Sequence, residues 1–445
     1  MSAEPERARS PHMVASRARA RGQFRFHSPR KLRFDNPRKL RFRSPLRGPW
    51  LTSVFGAVLL AGLPIVIVTG LLSYIAYGPQ FGQAMPADVG WLRLPQFDWP
   101  TDPAWLYRLT QGLHVGLGLV LVPIVLAKLW SVIPKLFVTP PIPSIAGALE
   151  RLSLIALVGG VLFEIVTGVL NIQYDYLFGF SFYTAHYWGA WVFIAGFVSH
   201  VILKAPLMIR TLRRRSLIQV LRDKQTEQEV GDSDLIAADP DKPTISRRGA
   251  LALVGGGAVF VAVLTAGQTT GGVLRHAAIL LPRGRSYGDG PNDFQINRTA
   301  VAAGIDDANT GADWALELIS GDTKVTFDRD ALLGMEQYTA ELPIACVEGW
   351  STVQTWTGVR LRDLAAYAGV GNLDSALVSS IEENGPFRQA ALQSNQVLHS
   401  DSLLALRVNG ADLSLDHGYP ARIIVPAMPG VHNTKWVAAI EFRSS

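Results

Sequence analysis

Cys346 is the single thiol among 445 residues. It ends the apolar, strand-like run Leu342-Pro-Ile-Ala-Cys346 and precedes a Glu348-Gly-Trp-Ser351 turn. Trp356-Thr-Gly358 and a short helix from about residue 362 follow. A thiolate is a soft, strongly donating metal ligand, and a strand end before a glycine turn lets it point into a cavity. A lone cysteine is more often a buried, inert core residue, so its neighbours must decide the matter. The other candidates are imidazoles. His114, His186 and His200 lie inside long apolar runs, where an ionisable side chain is expensive and usually functional. Neutral imidazole is the axial ligand by which helical bundles hold haem. Haem b ligation is therefore the leading reading, ahead of buried hydrogen bonding.

Spacing limits how these histidines can pair. His186 and His200 are fourteen residues apart, which is about 21 Å along one helix on nearly the same face. They cannot share an iron. Two haems stacked across a membrane would need a ligand fourteen residues after His114, and that position is Lys128. One full bis-His site follows, taken as His114 with His186. Gly116, Gly118, Gly189 and Gly196 would let a flat macrocycle approach the backbone, with Arg108 placed to pair with a propionate. His200 with Lys204 is left to a second haem with an unidentified ligand, or to a quinone. Glu164 reads equally well as a proton-relay group or an interhelical hydrogen-bond partner.

The run Cys346-Val-Glu-Gly-Trp-Ser351, followed by Trp356-Thr-Gly-Val359 and Leu361, closely resembles the molybdenum-cysteine segment of the sulfite oxidase family of molybdopterin enzymes. That family includes periplasmic methionine-sulfoxide reductase catalytic subunits. The resemblance implies that Cys346 is the protein ligand to molybdenum, and so catalytic. A second stretch carries the likeness on: Leu404 to Pro426, with Asn409-Gly410, Gly418-Tyr-Pro-Ala-Arg422 and Val425-Pro426, then Gly430-Val-His-Asn-Thr-Lys-Trp436. It implies that His417, Arg422, Asn433, Thr434 and Lys435 line the pterin and its phosphate. The chemistry agrees, since arginine forks onto phosphate and lysine adds a point charge. Phe294-Gln-Ile-Asn-Arg298 takes the place of the family's early pterin-contacting strand. Arg298 replaces a histidine common there, so Asn297 alone is carried over. The likeness spans about residues 292–443. The chain stops after the last strand, without the immunoglobulin-like dimerisation domain of true sulfite oxidases, which favours a monomeric, reductase-like layout. The four-span unit, with Thr110-Gln-Gly-Leu-His114 and Ala185-His-Tyr-Trp-Gly189, looks like a bacterial cytochrome b.

The elements that must position these groups are largely membranous. Hydrophobic residues make up 48% of the chain and the mean hydropathy is +0.19, unusual for a wholly soluble protein. The net charge of +6 is packed at the N-terminus and beside apolar runs, a pattern of membrane orientation that excludes nucleic acid. One cysteine excludes an internal disulfide. Apolar runs near 51–77, 105–133, 149–172, 184–209 and 249–270 are each long enough to span a bilayer. Basic residues crowd the loop at 210–215, whereas 78–104 and 173–183 are nearly free of them. Positive-inside sorting then puts the N-terminus in the cytoplasm and everything beyond 271 outside. Trp91, Trp99, Trp105, Tyr183, Tyr187 and Trp188 are expected in the outer aromatic belt.

The expected domains are a basic, disordered cytoplasmic tail (1–48), a four-helix transmembrane cytochrome b-like domain (49–215) and an acidic cytoplasmic linker (216–248). A fifth transmembrane helix (249–271) and an extracytoplasmic molybdopterin domain (272–445) complete the chain. Arg247-Arg248 before a weakly hydrophobic helix resembles a twin-arginine (Tat) export signal, with a positive-inside flank as the plainer reading. Strands are expected near 314–319, 377–381, 405–408 and 421–426, joined by Gly-containing turns. The fold class is thus an all-α transmembrane bundle of four helices plus a tethering fifth, followed by an α+β sulfite-oxidase-like domain.

The expected function is that of a multi-pass bacterial plasma-membrane oxidoreductase. It would pass electrons between haem b or quinone and an external molybdenum centre that reduces a small sulfoxide-type molecule. Sulfite oxidation with electrons passed inward is the runner-up. A non-enzymatic membrane scaffold retaining the fold is the alternative from another class.

Overall fold

The computed structural model describes residues 44–78, 97–137, 144–171, 179–214, 218, 241–385 and 387–444. The basic tail up to residue 43, Trp91 and the acidic stretch from Glu227 to Asp239 lie outside them. Five helices are long and apolar enough to cross a membrane: α1 (Pro49–Ala76), α2 (Leu106–Val132), α3 (Ile145–Asn171), α4 (Phe182–Arg214) and α5 (Arg247–Thr270). Proline opens α1, where its missing N–H costs nothing. The Ser246 hydroxyl accepts from Gly249 N at 3.0 Å to cap α5. Pro64, Pro123 and Pro206 sit within α1, α2 and α4, tolerated because neighbouring helices re-satisfy the freed backbone groups. This is a multi-pass membrane protein.

The bundle's core joins Trp50, Leu51, Phe55, Leu121, Val161 and Phe193. Helices α3 and α4 pack backbone to backbone. A Cβ at Gly196 would stand 2.5 Å from Leu157 N, so this glycine sets the helix–helix approach. Gly189 likewise faces Glu164 and Phe163 of α3. Neither glycine therefore opens the backbone to a macrocycle, contrary to the sequence expectation.

Residues beyond 290 form an α+β unit with two five-stranded sheets. The first runs β2 (Thr323–Asp328), β1 (Ala315–Ser320), β10 (Val437–Ser444), β5 (Leu373–Ser380) and β6 (Gln389–Gln393). The second runs β3 (Tyr338–Ala345), β4 (Ser351–Arg360), β7 (Leu403–Val408) and β8 (Ala411–Asp412), with β9 (Arg422–Ile424) also paired to β7. Leu316, Leu318, Val378, Leu404 and Ile440 are sealed in the core. All four strand expectations fall on observed strands.

Two features position the site. The first is the β3–β4 hairpin, in register from Tyr338 opposite Gly358 to Ala345 opposite Ser351. Cys346 is the first residue of its tip, which closes through Cys346 N to Trp350 O at 2.9 Å. The second is the segment entering α2. Trp99, expected in the lipid-facing belt, is only 3% exposed. Its indole donates to Ala427 O at 2.7 Å and its amide to Gln393 Oε1 at 3.0 Å. The partners that would otherwise need water lie on the α+β unit, so the ring is drawn onto protein rather than lipid. Trp105 and Trp188 are exposed as expected, at 52% and 41%, whereas Tyr187 is 6% exposed and stacks on Tyr74 of α1 at 4.5 Å, contrary to the belt expectation.

Candidate functional site

The cavity at the hairpin tip is lined by Cys346, Asn297, His417, Arg422 and Lys435, together with Gln295. Five residues proposed from sequence thus meet at one place. Asn433 and Thr434 are buried beside it, and the Asn433 carbonyl accepts from Arg422 Nη2 at 3.2 Å.

The cations there are unusual. Arg422 is 4% exposed and Lys435 9%. Arg422 Nη1 donates to His417 O at 3.0 Å, and Lys435 donates to Asp416 O at 2.9 Å and to Arg298 O. Among the described residues neither makes an ion pair; Arg298 instead pairs with Glu382 at 2.8 Å. Arg422 also lies over the Trp356 ring at 5.1 Å and Lys435 over the Trp436 ring at 4.4 Å, yet burying a cation on carbonyls and indole faces without a counter-charge is costly. Burial brings Arg422 down to about 9 and pushes Lys435 well below the ordinary lysine range, with Arg422 adding repulsion. Arg422 Nε, Asn433 Nδ2, Thr434 Oγ1 and both amide atoms of Gln295 are buried without a hydrogen-bond partner. Such donors and charges in one place fit an anionic, hydrogen-bonding ligand.

His417 stacks on Phe294 at 3.6 Å between centroids, and its Nε2 meets Asn292 O at 2.8 Å. Burial first, then the Arg422 and Lys435 charges, take it down to about 3, so the ring is neutral. Gly418 holds φ +107°, and a Cβ there would lie 3.0 Å from Lys435 Cβ and 3.1 Å from Arg422 Cβ. Gly418→Ala is therefore expected to cost about 1–3 kcal/mol from backbone strain and crowding. A lowered midpoint in thermal unfolding of the full chain checks this; an unchanged midpoint would show that the loop relaxes freely.

Cys346 is 6% exposed and packs with Ala278, Leu281 and Trp350. Burial, reinforced by the Glu348 carboxylate, holds its thiol well above the usual range. Glu348 is occupied by Arg283 at 2.8 Å and by the Trp350 indole at 2.6 Å. A thiol in this position becomes a thiolate only against a cation.

A second cavity lies within the bundle, lined by His114, His186, Gln111, Glu164, Tyr183 and Val347 among others. The two imidazole centroids are 6.2 Å apart. His114 Nδ1 donates to Val66 O at 2.9 Å, which fixes the tautomer and leaves Nε2 as the free lone pair. His186 Nδ1 meets Thr167 Oγ1 at 2.9 Å, and its Nε2 reaches Glu164 at 3.0 Å. Glu164 is thus an interhelical partner of His186. Gly118 lines the cavity, as the sequence suggested. His200 is elsewhere, near Lys128, Lys204 and Glu150, and Lys204 pairs with Glu150. Arg108 donates to Thr269 O and Thr270 O, both at 2.9 Å, rather than standing ready for a propionate.

Sequence reasoning passed over Gln295, two residues before Asn297, and gave no role to Gln111. An amide inside an apolar run, one turn before His114, was the available signal for the second.

Residues 302–445 match the family model of the oxidoreductase molybdopterin binding domain. The C-terminal unit is a molybdopterin-binding domain of the sulfite oxidase kind. An uncharacterized oxidoreductase, YuiH, of Bacillus subtilis is 34% identical over 107 residues, 24% of this chain and 52% of that protein. Sulfite oxidase of Arabidopsis thaliana is 32% identical over 99 residues, 19% of this chain and 25% of that enzyme. The protein-methionine-sulfoxide reductase catalytic subunit MsrP of Xanthomonas campestris is 30% identical over 112 residues, 22% of this chain and 34% of that subunit. The chain therefore spans about half the length of the first of these relatives and less of the other two. The molybdopterin-binding domain implies its cofactor, and the orphaned donors and cations around Arg422 suit a pterin phosphate.

Proposed function

We propose that this chain is a membrane-bound oxidoreductase in which haem b in the bundle exchanges electrons with a molybdenum–pterin centre at Cys346, reducing a small, neutral sulfoxide-type molecule outside the membrane. The observation that carries the reading is a shared wall. Val347, the residue after Cys346, lines the cavity that holds His114 and His186. When bound, the molybdenum–pterin group supplies oxygen-atom transfer between substrate and water, and haem supplies one-electron steps.

The residues have these roles. Cys346 holds the metal as a thiolate, stabilised by the cation that its burial otherwise lacks. Arg422 and Lys435 neutralise the pterin phosphate, and Asn433, Thr434, Asn297 and neutral His417 orient the pterin with amide, hydroxyl and imidazole groups. Gln295 joins that set. His114 and His186 would hold haem iron through Nε2, which for His186 requires giving up its Glu164 contact. His200 remains a candidate for a further haem or a quinone. The membrane donor is a quinol or similar carrier.

The substrate side favours a neutral oxide over sulfite. Cys346 packs with Ala278, Leu281 and Trp350 beside a mutually neutralised Arg283–Glu348 pair, and with Arg422 and Lys435 of the same cavity assigned to the pterin phosphate this leaves a poor setting for a further dianion. Positive-inside sorting and Arg247-Arg248 support a cytoplasmic N-terminus and Tat export of the C-terminal domain at the plasma membrane, with the domain boundaries read from sequence. The test is anaerobic. Haem is reduced with a quinol analogue, methionine sulfoxide is added, and the haem band is followed. Reoxidation is expected. No response, with haem reduction on adding sulfite to oxidised protein, would overturn the direction.

A further inference from the structure

The Cys346 loop is held from below by side chains of the membrane helices. Gln111 of α2 is 3% exposed, and its Nε2 donates to Val347 O at 2.6 Å. Its Oε1 is fixed by the Ser73 hydroxyl of α1 at 2.8 Å, so the amide orientation is determined: oxygen to Ser73, nitrogen to the loop. On the other side Thr269 of α5 donates to Gly349 O at 2.8 Å and accepts at its carbonyl from Ser351 Oγ at 2.8 Å. The two clamps differ in one respect. Gln111 stands one turn before His114 on the same helix, about 4.5 Å along its axis, and lines the same cavity. Thr269 lies on a helix that contributes no residue to that lining.

We propose that Gln111 is a positioning residue that ties the thiolate's loop to the turn of α2 carrying His114, and so sets the rate of electron passage between the two centres. This rests on the reading above of a haem at His114 and His186 and molybdenum at Cys346. The connection is short: imidazole, one helical turn, the Gln111 amide, one hydrogen bond to the Val347 carbonyl, then Cys346. Electrons from a haem held at His114 and His186 would reach a molybdenum group held at Cys346 along this connection. Oxidation of one membrane quinol to quinone would supply the two electrons and two protons that convert one sulfoxide to its thioether and one water. A buried amide pinned at both ends cannot rotate away without leaving a carbonyl unsatisfied, so the loop keeps one distance from α2.

The experiment uses the full, cofactor-loaded chain and no substrate. A deazaflavin flash reduces the haem, and the decay of its reduced band is followed with the molybdenum(V) resonance. Gln111→Met keeps the bulk and loses the donor; Thr269→Val breaks the other clamp. Gln111→Met is expected to keep the haem spectrum and the metal and pterin content, yet slow the decay about tenfold, while Thr269→Val stays within roughly twofold of the parent, where tenfold corresponds to about 1.4 kcal/mol in barrier. Equal decay in parent and Gln111→Met would overturn the proposal while leaving the two centres in place. Equal slowing in Thr269→Val would also overturn it, reducing Gln111 to general docking. A parent without a bis-imidazole haem spectrum would overturn the cavity reading, and this proposal with it.

Discussion

Cys346→Ser is expected to abolish turnover in the full chain while leaving the absorbance of the haem proposed for the membrane bundle unchanged. The hairpin tip will tolerate the exchange, because serine is nearly isosteric and Cys346 N still bonds Trp350 O. What changes is the donor. A hydroxyl is harder, weaker and far less acidic than a thiol, so the metal proposed to sit there would lose its thiolate bond. The expected loss is about a thousandfold or more, roughly 4 kcal/mol in barrier. Turnover and a reduced-minus-oxidised spectrum on the same preparation check both halves. Activity near that of the parent would remove the thiolate from the chemistry and return Cys346 to the status of a core residue.

His114→Ala should remove most of the haem b band, and His186→Ala should do the same. Bis-imidazole ligation fails when either ring is lost. The structure brings these two rings to 6.2 Å and leaves His200 outside their cavity, so His200→Ala should leave that band in place. Difference spectra of the three variants in membranes decide the matter. A band that survives His114→Ala would mean that the pairing is wrong. A band lost equally in His200→Ala would require a second iron on the far side of the bundle.

The legible parts of this protein were those governed by short-range or compositional rules. Five spans could be read because a bilayer demands about twenty apolar residues in succession. The Cys346 hairpin and the Arg422 and Lys435 loops could be read because their residue order resembles a known domain. Contacts between the two halves were not legible. Trp99 looked like a lipid-facing belt residue because an indole beside a span usually is one; only the fold shows Ala427 O waiting for its N–H. Gly189 and Gly196 looked like room for a cofactor, yet small residues serve helix packing equally well, and sequence alone does not separate the two uses. Arg108 was one turn and a half from His114, close enough to suggest a propionate, and only the position of the end of α5 reveals carbonyls within its reach.

The seam between bundle and domain has a consequence for the history of such chains. Three of its bonds run from membrane-side side chains to main-chain carbonyls of the domain: Gln111 to Val347, Thr269 to Gly349 and Trp99 to Ala427. Every residue offers a carbonyl, whatever its side chain, so these three bonds read the course of the domain's backbone, while Gln393, Asn395 and Ser351 add side-chain contacts that do depend on its sequence. A related domain would dock here with changes confined to those few side-chain contacts, and the rest of its surface could drift without loosening the join. Chimaeras that keep the bundle and exchange residues 302–444 for a relative's domain should accordingly assemble, provided that Gln111, Thr269 and Trp99 are retained and that Ser351, Gln393 and Asn395 are restored in the incoming domain.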